Sequence, residues 1–220
     1  MTTSTPAARR VVVVSAGLSQ PSSTRLLADR LASAVVAAGA SRGVEVEVET
    51  VELRDHAHDL ANALVTGFPA GDLRGAVDTV GSADAVVAVT PVFSASYSGL
   101  FKSFVDVLDP ESLSGVPVLV AATAGTSRHS LVLEHAMRPL FSYLRAVVVP
   151  TGVFAAAEDW GVGDSAGSAL AERIERAAGE LADVLAGLPA ASARRAATAD
   201  PYEEPTAFAD LLQQHSGQQL

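Results

Sequence analysis

Short runs of continuously apolar residues alternate with longer stripes of helical period along this chain. Arg10 to Ser15 is a near-continuous β-branched run, the pattern of a strand covered on both faces. Gly17 to Ser22 breaks it, and Leu26, Leu27, Leu31, Ala34, Val35 and Ala38 then recur at helical spacing, with Gly39 and Gly43 read as the stop. Val44, Val46, Val48 and Val51 alternate with acidic residues up to Leu53, as in a half-exposed strand at a sheet edge. Residues 55–82 read as mostly helical, interrupted at Gly67-Phe68-Pro69. Ala85 to Val89 is a third buried strand, followed by a polar loop and a helix from about Ser98 to Leu108. Pro117 to Ala122 is a fourth strand, Thr123 to Arg128 another polar loop, and a helix follows to about Leu144. Ala146 to Val149 is a fifth strand, and a long helix spans about Ser165 to Leu188.

Five strands separated by helices imply parallel pairing, because each crossover must carry the chain back across the sheet. Right-handed crossovers then place helices on both faces. With the second strand at an edge, the expected fold is a three-layer, flavodoxin-like α/β domain over residues 8–188, its five-stranded parallel sheet in the order 2-1-3-4-5. From residue 189 the composition turns small, polar and proline-containing, so 189–220 reads as a linker and tail. Within it AFADLLQQ could form a short helix through Phe208, Leu211 and Leu212, either unattached or docked on a neighbouring subunit.

Composition narrows the partners. The 220 residues hold 25 acidic and 15 basic side chains, a formal net charge of −10, which repels phosphate backbones and anionic membranes. Nucleic acid and membrane are therefore not expected partners. No stretch approaches the roughly 20 apolar residues that span a bilayer, and the N-terminal valine run is too short for a secretory signal. With no cysteine, disulfides, thiolate catalysis and zinc-thiolate sites are excluded, which is compatible with a cytoplasmic setting.

The chemistry concentrates where strands end. In a parallel sheet all strand C-termini share one side, and ligands bind there near the switch in strand order. Three loops therefore converge: SAGLSQPSST, PVFSASYS and TAGTSR. The first carries Ser15, Ser19, Gln20, Ser22, Ser23 and Thr24 immediately ahead of a helix. Free backbone N–H groups and the helix dipole favour an anion there. A single capping hydroxyl would suffice for structure, whereas four hydroxyls fall within six residues, which favours a phosphate cradle. The lysine of a nucleotide-triphosphate loop and the dinucleotide glycine fingerprint are both missing. In the second loop Phe93 could offer a planar face while Ser94, Ala95 and Ser96 let a flat ligand approach the backbone; alternatively the phenylalanine packs inward. The third loop, with Gly125, can aim amide donors at a polar ring edge.

Nothing reactive lies between these loops. A GxSxG elbow and a Ser-His-Asp order are missing, and His56, His58, His129, His135 and His215 are scattered, so neither a protein nucleophile nor a metal site is expected. Such a site suits chemistry performed by a cofactor.

Two segments carry a specific resemblance. TPVFSASYSGLFKSFVD resembles the TPVYxASYSGLLKxxLD motif of NAD(P)H-dependent FMN reductases, and ATAGTSRHSLVLEHAMRPLFSYLRA is similar to their AT(G/A)GSxxHxLAxxxALRPVLxxL segment. The first loop is similar to their serine-rich phosphate loop, and the likeness covers roughly residues 10–188 in order. The branch it most resembles supplies reduced flavin to two-component, luciferase-like monooxygenases. The resemblance implies that Ser15, Ser19, Gln20, Ser22, Ser23 and Thr24 hold the FMN phosphate. It implies that Pro91, Val92, Phe93, Ser94, Ala95 and Ser96 line the isoalloxazine ring, and that Thr123, Ala124, Gly125 and Thr126 meet its pyrimidine edge. NADPH or NADH would be the hydride donor, and a homodimer or homotetramer the assembly. Phe93 departs from a common tyrosine, and Gln20 stands about where many members place an arginine. A less positive phosphate loop fits flavin used as an exchangeable substrate. A reductase of quinones or azo dyes with permanently held FMN, and a non-enzymatic flavodoxin-type carrier, are the alternatives.

Overall fold

The structure, a computed structural model, describes residues 8–161 and 165–191. The described residues up to Leu188 make one compact unit. The short helix expected around Phe208 lies outside the described residues, as does His215.

Strands β1 (Arg9–Ser15), β2 (Val46–Glu52) and β3 (Ala85–Phe93) pair in parallel with β1 in the middle. β3 pairs on its other side with β5 (Pro117–Ala124), again in parallel. The fifth position of the sheet is filled by two short pieces, β6 (Val147–Val148) and β7 (Val153–Ala156), both parallel to β5. Taking these pieces as one interrupted strand, the parallel order is the expected 2-1-3-4-5. The whole sheet has seven strands because of that interruption and because β4 (Ser96–Tyr97) folds back antiparallel on the end of β3.

Alternation along β1 divides the core in two. Val12 and Val14 point to one face, where they pack with Leu60, Leu73, Phe101, Phe104 and Phe141. These come from α2 (Ala57–Thr66), α3 (Gly71–Gly81), α4 (Gly99–Val107) and α5 (Arg138–Tyr143). Val11 and Val13 point to the other face and meet Leu27, Leu31 and Val35 of α1 (Ser23–Ala40) and Leu170, Ala177 and Leu181 of α6 (Ser165–Gly187). Continuous valine at β1 is thus the consequence of burial on both sides. At β2 Val46 and Val48 are half-buried on the α1 face while Glu47 and Glu49 remain exposed, as the alternation predicts; Val51, on the parity of the glutamates, is buried on the opposite face.

Several details differ from the pattern reading. Gly39 does not end α1; it lies inside the last turn, where a Cβ would come within 2.6 Å of Val46 Cγ2. The left-handed turn that releases the chain falls at Gly43, with φ of 70°. Leu26 sits on the exposed side of α1 rather than on its apolar stripe. The helix expected to run to Leu144 opens with a 3-10 turn at Ser127–His129 and contains a π-helical turn, Leu133–Met137, before α5.

Candidate functional site

β1 delivers the chain to the first loop at Ser15, whose parity aims its side chain toward the α1 face. That side chain is fully buried, and its Oγ has no hydrogen-bond partner among the described residues, a costly state for a hydroxyl. The loop then turns tightly at Gly17, where an added Cβ would lie 2.2 Å from Ser22 Oγ; only glycine lets the two sides approach so closely. Ser22 caps α1 by accepting from Arg25 N–H at 3.2 Å. The first-turn amides of Ser23 and Thr24 remain as donors without intrahelical acceptors, and no acidic side chain occupies that turn. The hydroxyls of Ser19 and Ser23 make no hydrogen bond to other described residues. An anion seated here would meet free amides, free hydroxyls and the positive end of the helix dipole.

The second loop is built by a strained hairpin. β3 continues beyond Val89 to Phe93, and β4 pairs back with Phe93 opposite Ser96 and Val92 opposite Tyr97. Only Ser94 and Ala95 lie between, at φ of 48° and 66°. Positive φ at both central residues is the type I′ pattern, normally filled by Asn-Gly. Placing Ser and Ala there costs about 1–2 kcal/mol per residue. Backbone strain of this kind clusters at binding and catalytic sites. Phe93 is 47% exposed, so it does not pack inward. Below the hairpin, buried Thr90 accepts from Ser98 N–H at 3.0 Å, and Ser98 in turn caps α4 by accepting from Phe101 N–H at 3.1 Å.

The third loop leaves β5 at Ala124. Thr123, buried just before, shares a 2.8 Å hydrogen bond with Thr24, which ties the end of β5 to the start of α1. Thr126 spends its hydroxyl on a cap, accepting from Arg128 N–H at 3.1 Å.

Together the loops enclose a cleft of about 330 Å³. Its walls are Ser19, Ser22, Ser23 and Thr24 from the first loop, Pro91, Val92 and Phe93 from the second, and Thr123, Ala124 and Gly125 from the third. Leu18 joins them, half exposed; an apolar residue within a polar loop was the signal for it. Among the expected residues Ser15 is fully buried and takes no part in the lining. Ser94, Ala95 and Ser96 form the hairpin tip outside its lining, and Thr126 is beyond it. Thr24 contributes its amide, its hydroxyl being engaged with Thr123.

Gln20 turns the other way, into a neighbouring cleft of about 430 Å³ that shares Ser19 and Ser22 with the first. There its side-chain amide meets both terminal nitrogens of Arg54, a residue of the 3-10 turn that follows β2, and its oxygen is assigned to that side because only then do the guanidinium donors find an acceptor. Arg25 also borders this cleft, held by Asp29 and by Glu52 at 2.7 Å each, which keeps its guanidinium above the ordinary arginine range. Sequence spacing gave no signal for Arg54, 34 positions from Gln20.

An orphaned buried hydroxyl, free amides at a helix start and an exposed aromatic beside a tight hairpin fit a ligand with an anionic end and a flat end. Comparison with known proteins points the same way. The model of the family described as NADPH-dependent FMN reductase matches residues 9–161. An FMN reductase (NADPH) of Pseudomonas aeruginosa is 35% identical over 178 residues, covering 81% of this chain and 93% of that protein. The NADH-dependent FMN reductase SfnF of Pseudomonas putida is 37% identical over 167 residues, covering 76% and 88%. The X-ray structure of an oxidoreductase from Corynebacterium diphtheriae superposes with a TM-score of 0.79 at 50% identity, covering 83% of this chain and 99% of that one.

Proposed function

The chain belongs to the NADPH-dependent FMN reductase family, and from that premise we propose that it transfers a hydride from NADPH or NADH to FMN and supplies the reduced flavin to a flavin-dependent monooxygenase. The observation that carries the reading is the single cleft walled by all three loops, with free donors at one end and exposed Phe93 at the other. FMN, when bound, supplies the ring that accepts the hydride.

The protein's own part is binding and orientation. Ser19, Ser22 and Ser23, with the first amides of α1 and the buried Ser15 hydroxyl, hold the phosphate. Pro91 to Phe93 back the flat ring, and the strained Ser94-Ala95 tip lets the chain pass close to it. The amides from Thr123 to Gly125 meet the polar ring edge. Holding two reactants face to face in this way converts an encounter in solution into an effectively unimolecular step. No side chain is assigned as acid or base. The flavin-binding domain is taken as residues 8–188, and the reaction as cytoplasmic. Assembly as a homodimer or homotetramer is supported by exposed Val65, Phe68, Leu131 and Tyr143, large apolar side chains that an interface would cover.

Both nicotinamides stay in the proposal, because the similar proteins include an NADPH enzyme and an NADH-dependent one. The test follows absorbance loss of each nicotinamide with and without added FMN. FMN-dependent turnover with at least one donor is expected. A protein that leaves both donors unoxidised at saturating FMN would refute the reading.

A further inference from the structure

Gln20 stands in the phosphate loop without a charge of its own, yet the fold brings one to it. Both terminal nitrogens of the Arg54 guanidinium face the Gln20 side-chain amide, and the amide is assigned with its oxygen toward them, the orientation that gives those donors an acceptor. It arrives from the turn after β2, a segment that contributes nothing to the walls of the flavin cleft. Gln20 is bonded directly to Ser19, and Ser19 and Ser22 form the partition between the two clefts. The arginine of this pair therefore lies on one side of the partition, and the phosphate seat on the other.

We propose that Arg54 supplies, through Gln20, the positive charge that the phosphate loop lacks, and so sets how strongly the protein distinguishes a phosphorylated flavin from an unphosphorylated one. The inference rests on the flavin reading of the cleft. Two physical effects combine. The amide oxygen accepts from a cation, which leaves the amide NH₂ facing away from Arg54 as a strengthened donor. The guanidinium itself acts across the thin loop as a fixed charge, less screened than it would be in bulk water. Of the two cations bordering the neighbouring cleft, Arg25 is already compensated by two carboxylates. Arg54 has one, Asp55, at 3.4 Å and mostly exposed, so it is the less compensated of the two. Arg54 is thus a positioning residue, acting through Gln20 and not as a ring contact.

The experiment compares dissociation constants for FMN and riboflavin, which differ by the phosphate alone, in the wild type, Arg54→Gln, Arg54→Lys and the exchange Gln20→Arg/Arg54→Gln. A wild type that binds FMN no better than riboflavin would remove the phosphate seat itself, a failure of the flavin reading and distinct from a failure of this one. Given that preference, Arg54→Gln should weaken FMN about tenfold, the scale of one charge-assisted interaction, while changing riboflavin less than about twofold. Its FMN affinity should also depend less on salt. Arg54→Lys should fall between, keeping the charge but losing the paired donation to Gln20. The exchange should return FMN affinity to within about threefold of wild type, because it moves the charge into the loop. Equal losses for both flavins would make Arg54 a purely structural residue and overturn the proposal. So would an Arg54→Gln protein with unchanged FMN affinity, or an exchange variant as weak as the single one.

Discussion

The contact between Thr24 and Thr123 joins two of the three loops, and its energetic role can be isolated. Both residues are nearly inaccessible, 2% and 3% exposed, and their hydroxyls lie 2.8 Å apart. Among the described residues each hydroxyl has the other as its partner. Replacing Thr24 by Val exchanges the hydroxyl for a methyl of similar size and strands Thr123 Oγ1 in a nearly inaccessible position. Leaving such a group unpaired costs about 1–3 kcal/mol. Thr123→Val should cost the same for the same reason. The double variant strands nothing and gains two buried methyls, so its loss should be far below the sum, with a coupling of at least about 1 kcal/mol. Urea unfolding followed by the fluorescence of Trp160, the sole tryptophan, measures all four proteins. Single variants within about 0.5 kcal/mol of wild type, or a double variant whose loss equals the sum, would refute the claim that this pair is a mutually dependent tie.

Three further outcomes follow from the same geometry. Changing Ser94-Ala95 to Asn-Gly supplies the residues a type I′ turn prefers and should raise stability by about 1–2 kcal/mol, the relieved left-handed strain less the entropy cost of glycine; an unchanged or lower melting temperature would contradict the positive-φ strain. Ser15→Ala deletes the buried unpaired hydroxyl, so the ligand-free protein should gain about 1 kcal/mol while binding FMN several-fold more weakly; calorimetry and flavin titration should move in opposite directions. Hydrogen bonding to Arg138 holds the Glu134 carboxyl below the ordinary glutamate range. A depressed folded pKa means stability present above the unfolded pKa and lost as pH falls through the folded one. Arg138→Gln should raise the Glu134 midpoint in a ¹³C-detected NMR titration, and an unmoved midpoint would reject the pairing.

Much of this architecture could be read from residue pattern because burial imposes it. Valine runs at β1, β3 and β5 mark strands covered on both faces, and the acidic alternation of β2 marks an edge. The loop ahead of α1 was legible as a loop because hydroxyls crowd before a helix start. The hairpin was not, since Ser-Ala carries none of the usual signal for a two-residue turn. Pro91 inside β3 also masked the strand's length, because proline is disfavoured within a paired strand. The outward turn of Gln20 and the arrival of Arg54 depend on how β2 lies beside β1, and adjacency of that kind leaves no trace in spacing. The π-helical turn at Leu133–Met137 has no compositional mark either.

The break in the sheet at Pro150–Gly152 has a bearing on colloidal behaviour. Arg138 donates to the carbonyls of Val149 and Pro150 at 3.1 and 3.0 Å, and Glu180 accepts from the amide and hydroxyl of Thr151 at 2.7 Å each. Peptide groups that could have recruited a stranger's backbone are thereby occupied by side chains of the same molecule. The opposite border, β2, presents the exposed carboxylate of Glu47, which repels its own kind. Both margins of the sheet are guarded against strand-on-strand stacking, which should let the protein tolerate high concentration without growing fibrils.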